Sequence, residues 1–297
     1  FTKPYRTINK VLGRPGFGAG DTIYIDSGIF SETLTINYDN VWIEGVESGS
    51  TRLWLAAGDS TSAVNVGIFA DTQVGLVIRK LGFKHMYRGI EFYNVDNSRI
   101  DSVTVEYSGQ YGLYLWVNSD TNTLLGNTSS KNSSSGFYLY ASSNNTLTNN
   151  TSSKNSLYGF YLYVSSNNTL TKNTGLNNSS IGYILEGNSN NNTLTNNISS
   201  NNSERGFYTL SCSNNTLTNN TSSNNSLQGF YLDASPNNTL TNNTSSNNSS
   251  HGFYLNFSSN RTLTQNSADS NAGYAFFMAS TSSSDTFNKN VFVPSPY

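Results

Sequence analysis

Short alternations of apolar and polar residues run along the chain and recur at a fixed spacing. In one unit Phe137 and Leu139 share one face of an extended segment, and Tyr138 and Tyr140 share the other. A second short segment centres on Leu147, with counterparts at Leu170, Leu194, Leu217, Leu240 and Leu263. A third lies near Thr151 and Ser152, where an earlier unit has Val103 and Val105. The phrase GFYLYASSNNTLTNN begins at Gly136 and returns at Gly159, Gly182, Gly206, Gly229 and Gly252, more weakly at Gly273. It runs back to Gly112, Gly89 and Gly67, with spacings of 21–24 residues, a length typical of solenoid repeats. The apolar spacing of an amphipathic helix is absent, and the units hold too few leucines for a leucine-rich repeat. Three short strands and three turns in about 23 residues describe one coil of an all-β, three-sheet parallel β-helix. About twelve coils, stacked at the inter-strand spacing of ~4.8 Å, make a rod of about 60 Å.

The ends differ from the repeats. In residues 1–20, Tyr5, Ile8, Val11 and Leu12 fall on one face of a short predicted helix that covers the first coil. Pro15, Gly16, Gly18 and Gly20 end it and lead into a strand at Thr22–Ile25. The solenoid is expected over 21–292, with irregular charged coils in 21–111 and regular Asn-rich coils in 112–292. Residues 293–297 form a tail in which Pro294 and Pro296 stop strand pairing. An end without a cap exposes backbone groups that invite self-association, end to end or side to side.

Composition makes sense once the coils are seen. Only 11% of the 297 residues are charged and 46 are Asn. Asn tolerates the left-handed backbone of turns, and its amide can donate to one coil while accepting from the next. The repeated pairs Asn144/Asn145, Asn149/Asn150, Asn214/Asn215 and Asn237/Asn238 fit such ladders. Nineteen Tyr, 16 Phe and 3 Trp argue against disorder. A formal net charge of −2 with no basic patch excludes nucleic acid as a partner, and no apolar run is long enough for a transmembrane segment. The single Cys212 excludes an intramolecular disulfide framework and reads as a small buried residue of a coil.

The repeat phrase resembles the Asn-rich right-handed parallel β-helix repeats of the NosD-like and pectate-lyase-like superfamily, particularly those of archaeal cell-surface proteins. The opening stretch YRTINKVL…GDTIYIDSGIFSETLTI resembles that superfamily's capping helix and first coil. The resemblance implies the fold over nearly the whole chain. It does not single out one function, because the fold hosts lyases, hydrolases, epimerases, tailspikes and inert rods.

Chemistry is harder to find. The paired Asp-Asp of the superfamily's polygalacturonases and the Asp-Pro-His-Asp of its epimerases are both absent. Thirteen of the 18 carboxylates lie at or before Asp120. Any catalytic centre is therefore expected among Asp71, Arg79, His85, Arg88, Glu91, Asp96 and Asp101. Coil spacing stacks Arg79 against Asp101 and Lys84 against Glu106, the pattern of ordinary cross-strand ion pairs. His251 lacks an acidic neighbour in its coil and reads as inert. No His, Cys or Asp cluster has metal-ligand spacing, and no cofactor is expected.

Two surface patterns remain. Tyr114, Tyr138, Tyr161, Tyr208, Tyr231 and Tyr254 occupy one position in their coils, with Trp116, Tyr140 and Tyr163 in a neighbouring row. Such a stripe suits carbohydrate stacking, subunit packing or a stiffening ladder. About 22 Asn-X-Ser/Thr sequons lie after Gly126. The better acceptors are Asn127, Asn132, Asn144, Asn149, Asn167, Asn177, Asn191, Asn197, Asn201, Asn214, Asn219, Asn224, Asn237, Asn242, Asn247, Asn256 and Asn260. These features together favour a non-enzymatic, exported, N-glycosylated rod of the cell surface or extracellular space, structural or adhesive, assembling into fibres or arrays. The alternative is a polysaccharide lyase, hydrolase or carbohydrate-binding β-helix module. Accessory work in periplasmic metal-site maturation, implied by the NosD-like resemblance, ranks last.

Overall fold

Each coil gives one strand to each of three parallel sheets, which hold twelve, twelve and eleven strands. The computed structural model describes residues 5–55, 59–279 and 283–293. In a middle coil the first sheet takes Thr146–Thr148, the second Thr151–Ser153 and the third Phe160–Tyr163. Every strand pairs in parallel with its counterpart in the coil before and after, as with Tyr138 opposite Tyr161 and Leu147 opposite Leu170. The all-β solenoid expected from the repeat is therefore the architecture observed.

Strand alternation sends Phe137, Leu139 and Leu147 into the core, where all three are fully buried. Phe137, Phe160, Tyr183, Phe207, Phe230, Phe253 and Phe276 stack ring on ring with centroids 4.6–4.8 Å apart. That spacing is the inter-strand distance, so the parallel register itself sets the stack. The second sheet packs against the third through serine. Ser152 Oγ donates to the Gly159 carbonyl (2.8 Å), and Ser199, Ser222 and Ser245 repeat the bond to Gly206, Gly229 and Gly252. A Cβ at Gly182 would collide with Ser199 Oγ, which explains the glycine that opens each repeat.

The two Asn of each pair have different jobs. The first, as at Asn144, Asn149 and Asn219, is exposed with φ of 59°, 55° and 55°. The second is buried and builds the ladder. The backbone N–H and side-chain amide of Asn197 both donate to Asn220 Oδ1 (2.9 and 3.0 Å), and the amide also donates to the Leu170 carbonyl (2.9 Å). Cys212 occupies a serine place in a related ladder, where its N–H donates to Ser235 Oγ. Burial pushes its thiol up to about 12, so it is an inert filler. Arg261 stands at a ladder position too. It is fully buried and paired with Asp285 across the next coil (2.6 Å), so the place does not face solvent.

The N-terminal helix is only Ile8–Leu12. Ile8 is buried, and Val11 and Leu12 pack against the core. Tyr5 lies outside the helix and is half exposed, so it is not part of the cap. Glu32 fixes the helix start by accepting the Ile8 and Asn9 N–H groups (both 2.9 Å). Pro294 and Pro296 lie outside the described residues. No helix among the described residues is long and apolar enough to cross a membrane.

Candidate functional site

The third sheet presents a continuous outward face with a central row and a flanking row. Strand alternation and register place Glu91, Tyr114, Tyr138, Tyr161, Ile184, Tyr208, Tyr231, Tyr254 and Phe277 in the central row. Ile184 therefore divides the expected tyrosine stripe into two groups of three. Tyr138 and Tyr161 stack at 4.6 Å, as do Tyr231 and Tyr254. The stripe is less open than a row of free rings: Tyr114, Tyr138 and Tyr231 are 7–8% exposed because each ring lies on the next. The flanking row reads Asp71, Tyr93, Trp116, Tyr140, Tyr163, Glu186, Leu210, Asp233 and Asn256. Tyr161 Oη donates to Glu186 (2.8 Å) and Tyr231 Oη to Asp233 (3.2 Å). Extending the Trp116 row by one repeat in each direction reaches Tyr93 and Glu186, and two further repeats reach Asp233.

Toward the N-terminus this face deepens into a cleft of about 360 Å³, lined by Thr35, Val64, Phe69, Tyr87, Arg88, Glu91 and Trp116 among others. Arg88 is its organiser. Its guanidinium binds Glu91 (2.6 Å) and Gln110 (2.7 Å) and lies 4.8 Å from the Tyr114 ring centre. Glu91 is 4% exposed. Burial raises its carboxyl above the ordinary value, outweighing the pull of Arg88. The Trp116 indole N–H is buried nearby without a well-formed hydrogen bond. A buried carboxyl that holds its proton more tightly, beside an arginine in a cleft, is equipped for proton transfer.

That shift fixes a pH dependence. With its folded value raised, Glu91 contributes stability below its unfolded value, and that contribution is lost as pH rises through the folded value. Wild type should therefore lose stability relative to Glu91→Gln as pH rises from 4 toward 7, by at most about 1.4 kcal/mol per pH unit. Thermal unfolding of both proteins across that range checks it. A pH-independent difference would contradict the assignment.

The seven expected catalytic residues do not converge. Arg88 and Glu91 share the cleft, and Asp71 lies at the edge of the same face. Arg79 faces out from the first sheet, bound to Glu44 (2.5 Å), and Asp101 binds Arg99 (2.8 Å). Asp96 accepts the Asp120 N–H in a turn (2.8 Å). His85 sits beyond the second sheet, stacked on Tyr107. The expected registers are present, with Arg79 opposite Asp101 and Lys84 opposite Glu106. The ion pairs are not: Glu106 binds Lys131 instead, at 3.1 Å. One coil of register brings backbones together, but side-chain reach chooses the partner. His251 is stacked against Tyr274 and Phe277, and its Nδ1 accepts the Tyr274 N–H.

Thirteen of the 17 expected glycan acceptors are exposed turn residues with positive φ, Asn144, Asn167 and Asn260 among them. Asn127, Asn132 and Asn197 are not available: their amides are buried in the ladders. Asn256 lies on a strand of the third sheet, where its amide binds Asp233 (2.9 Å). The accessible acceptors sit at the corners between sheets and leave the third-sheet strands uncovered.

Two family models match the chain. The right handed beta helix region covers residues 59–198, and the periplasmic copper-binding protein (NosD) model covers 176–296. None of the curated proteins compared with it matches in sequence. Among solved structures, the A-module of the mannuronan C-5 epimerase AlgE4 of Azotobacter vinelandii superimposes with a TM-score of 0.81 at 15% identity, covering 96% of this chain and 94% of that one. The periplasmic alginate epimerase AlgG gives 0.69 at 14% identity, covering 98% and 84%. The catalytic domain of a GH87 α-1,3-glucanase gives 0.64 at 14%, covering 91% and 64%.

Copper does not suit the residues present. Soft donors are scattered, with Cys212 in a serine ladder and His251 in an aromatic stack. No group of three or more His, Cys, Asp or Glu among the described residues could hold a metal ion. The structural neighbours also correct the expected function. The three neighbours named above are carbohydrate-active enzymes, which counts against the expected inert, non-enzymatic glycosylated rod. The two family matches and the three parallel sheets together make this chain a right-handed parallel β-helix repeat protein.

Proposed function

We propose that the protein binds a polysaccharide along the outward face of its third sheet, with the Arg88/Glu91 cleft as the reactive end. The observation that carries this reading is the aromatic face that leads into a cleft holding a buried carboxyl whose affinity for its proton is raised by burial. The stacked tyrosines cover one another's faces and present ring edges and hydroxyls, which with the carboxylates beside them offer apolar edges and hydrogen bonds to a sugar chain. The cleft is lined by one carboxylate, whereas glycoside hydrolysis uses two. Binding, or proton transfer at a sugar carbon with Glu91 as acid or base, fits better than hydrolysis. The named activities of the structural neighbours support the substrate class, and the periplasmic matches support an exported protein.

The test is binding of the full chain to a panel of acidic and neutral polysaccharides, by affinity electrophoresis or calorimetry. Removing two stacked rings in Tyr138→Ala/Tyr161→Ala should weaken binding by about 2 kcal/mol, roughly thirtyfold. No binding to any member of the panel, or binding indifferent to the double substitution, would refute the reading.

A further inference from the structure

A second cleft lies on a different face, over the second sheet, with a volume of about 240 Å³. Its floor is Gly82 and Thr104, and the Ser48/Gly49 turn forms one wall. The turn can lie against the sheet because position 82 has no side chain to meet the Ser48 carbonyl. Thr104 Oγ1 donates to Ser48 Oγ (3.1 Å) and holds the wall in place. Arg52, Trp54 and Lys84 line the rest, with Glu106 at the rim.

Glu106 is spent on Lys131 (3.1 Å). Neither Arg52 nor Lys84 forms an ion pair among the described residues. Lys84 Nζ is instead held between two rings, 4.3 Å from the Trp54 centre and 5.0 Å from that of Tyr107. Arg52 also leans on Trp54, at 5.8 Å. His85 adds a stacked ring on Tyr107, and burial together with Lys84 pushes its imidazole below the ordinary value. Two fixed cations, an indole and a hydroxyl therefore surround a space with room for one saccharide unit.

We propose that this cleft is a binding site for a single carboxylate-bearing sugar unit, separate from the third-sheet face. Arg52 and Lys84 take the carboxylate, and Thr104 and the Ser48 turn meet ring hydroxyls. The site does not depend on the aromatic face, so the two are tested apart. The experiment titrates a galacturonate disaccharide into the full-length Tyr138→Ala/Tyr161→Ala protein, in which the third-sheet face is weakened, and follows heat and tryptophan fluorescence. Saturable binding is expected. Arg52→Ala or Lys84→Ala in that background should cut affinity about tenfold or more, the worth of one charge-assisted hydrogen bond. Lys84→Gln, which keeps the stem over Trp54, should lose as much and separates charge from folding. Equal binding of the neutral disaccharide of the same length, or equal binding of sodium sulfate alone, would overturn the sugar assignment. So would an affinity unmoved by Arg52→Ala and Lys84→Gln, or no binding of the acidic probe.

Discussion

Asp285→Ala should destabilise the C-terminal coils by about 3–5 kcal/mol, the cost of leaving a buried charge without its partner. Arg261 and Asp285 side chains are 0% and 2% exposed. Asp285 accepts three bonds from Arg261: from the backbone N–H (2.9 Å), from Nε (3.0 Å) and from Nη2 (2.6 Å). The first of these is the ladder bond that other coils make to an Asn Oδ1, so the carboxylate substitutes for an amide. Arg261 Nη1 already lacks a partner. Removing Asp285 would strand most of a guanidinium in a dry site. Because each coil touches only its neighbours, the damage should stay local. Hydrogen exchange in Thr262–Thr264 and Thr286–Asn288 should rise while distant coils stay protected. The double substitution Arg261→Asn/Asp285→Asn rebuilds the neutral ladder and should recover most of the loss. If the single substitution is silent, or the double one is no better, the ion pair does not hold this end together.

Asn220→Leu should cost about 4 kcal/mol, while Asn219→Gly next to it should cost no more than about 0.5 kcal/mol. Asn220 Oδ1 accepts two N–H groups of Asn197, and its amide donates to the Leu194 carbonyl (2.8 Å) and to Asn243 Oδ1 (3.0 Å). Leucine of similar size fills the space but orphans the Asn197 N–H and the Leu194 carbonyl, at about 1–3 kcal/mol each. Asn219 is exposed with φ of 55°, a conformation glycine adopts freely. Chemical unfolding of the two variants gives the comparison. Equal losses would mean that the two Asn are not divided between ladder and turn.

That division marks where the sequence stops being readable. Asn219/Asn220 is visible as a repeated pair, and both uses of Asn follow from its chemistry. Which member faces inward depends on the pitch of the corner between the first two sheets, so Asn197 passes for an acceptor although its amide is buried. Arg261 misleads in the same way: a charged residue at a ladder position implies solvent until Asp285 is found one coil above. The cleft was partly legible. Arg88 and Glu91 stand out as charges in the irregular coils, yet spacing alone does not part them from Arg79, Asp96 and Asp101, which the coil sends to other faces.

The sequence by itself determined the period, the parallel β-helix, the inward Phe and Leu rows and the outward Tyr rows. All of these rest on local spacing, since a strand alternates every two residues and a parallel coil copies its register onto the next. Tertiary structure decided which Asn is buried, which charges pair, and that Arg88 and Glu91 meet aromatic rings in a cleft while Arg52 and Lys84 form no ion pair among the described residues. Those outcomes depend on side-chain reach across coils and corners, and on the burial that shifts Glu91, neither of which one-dimensional spacing encodes.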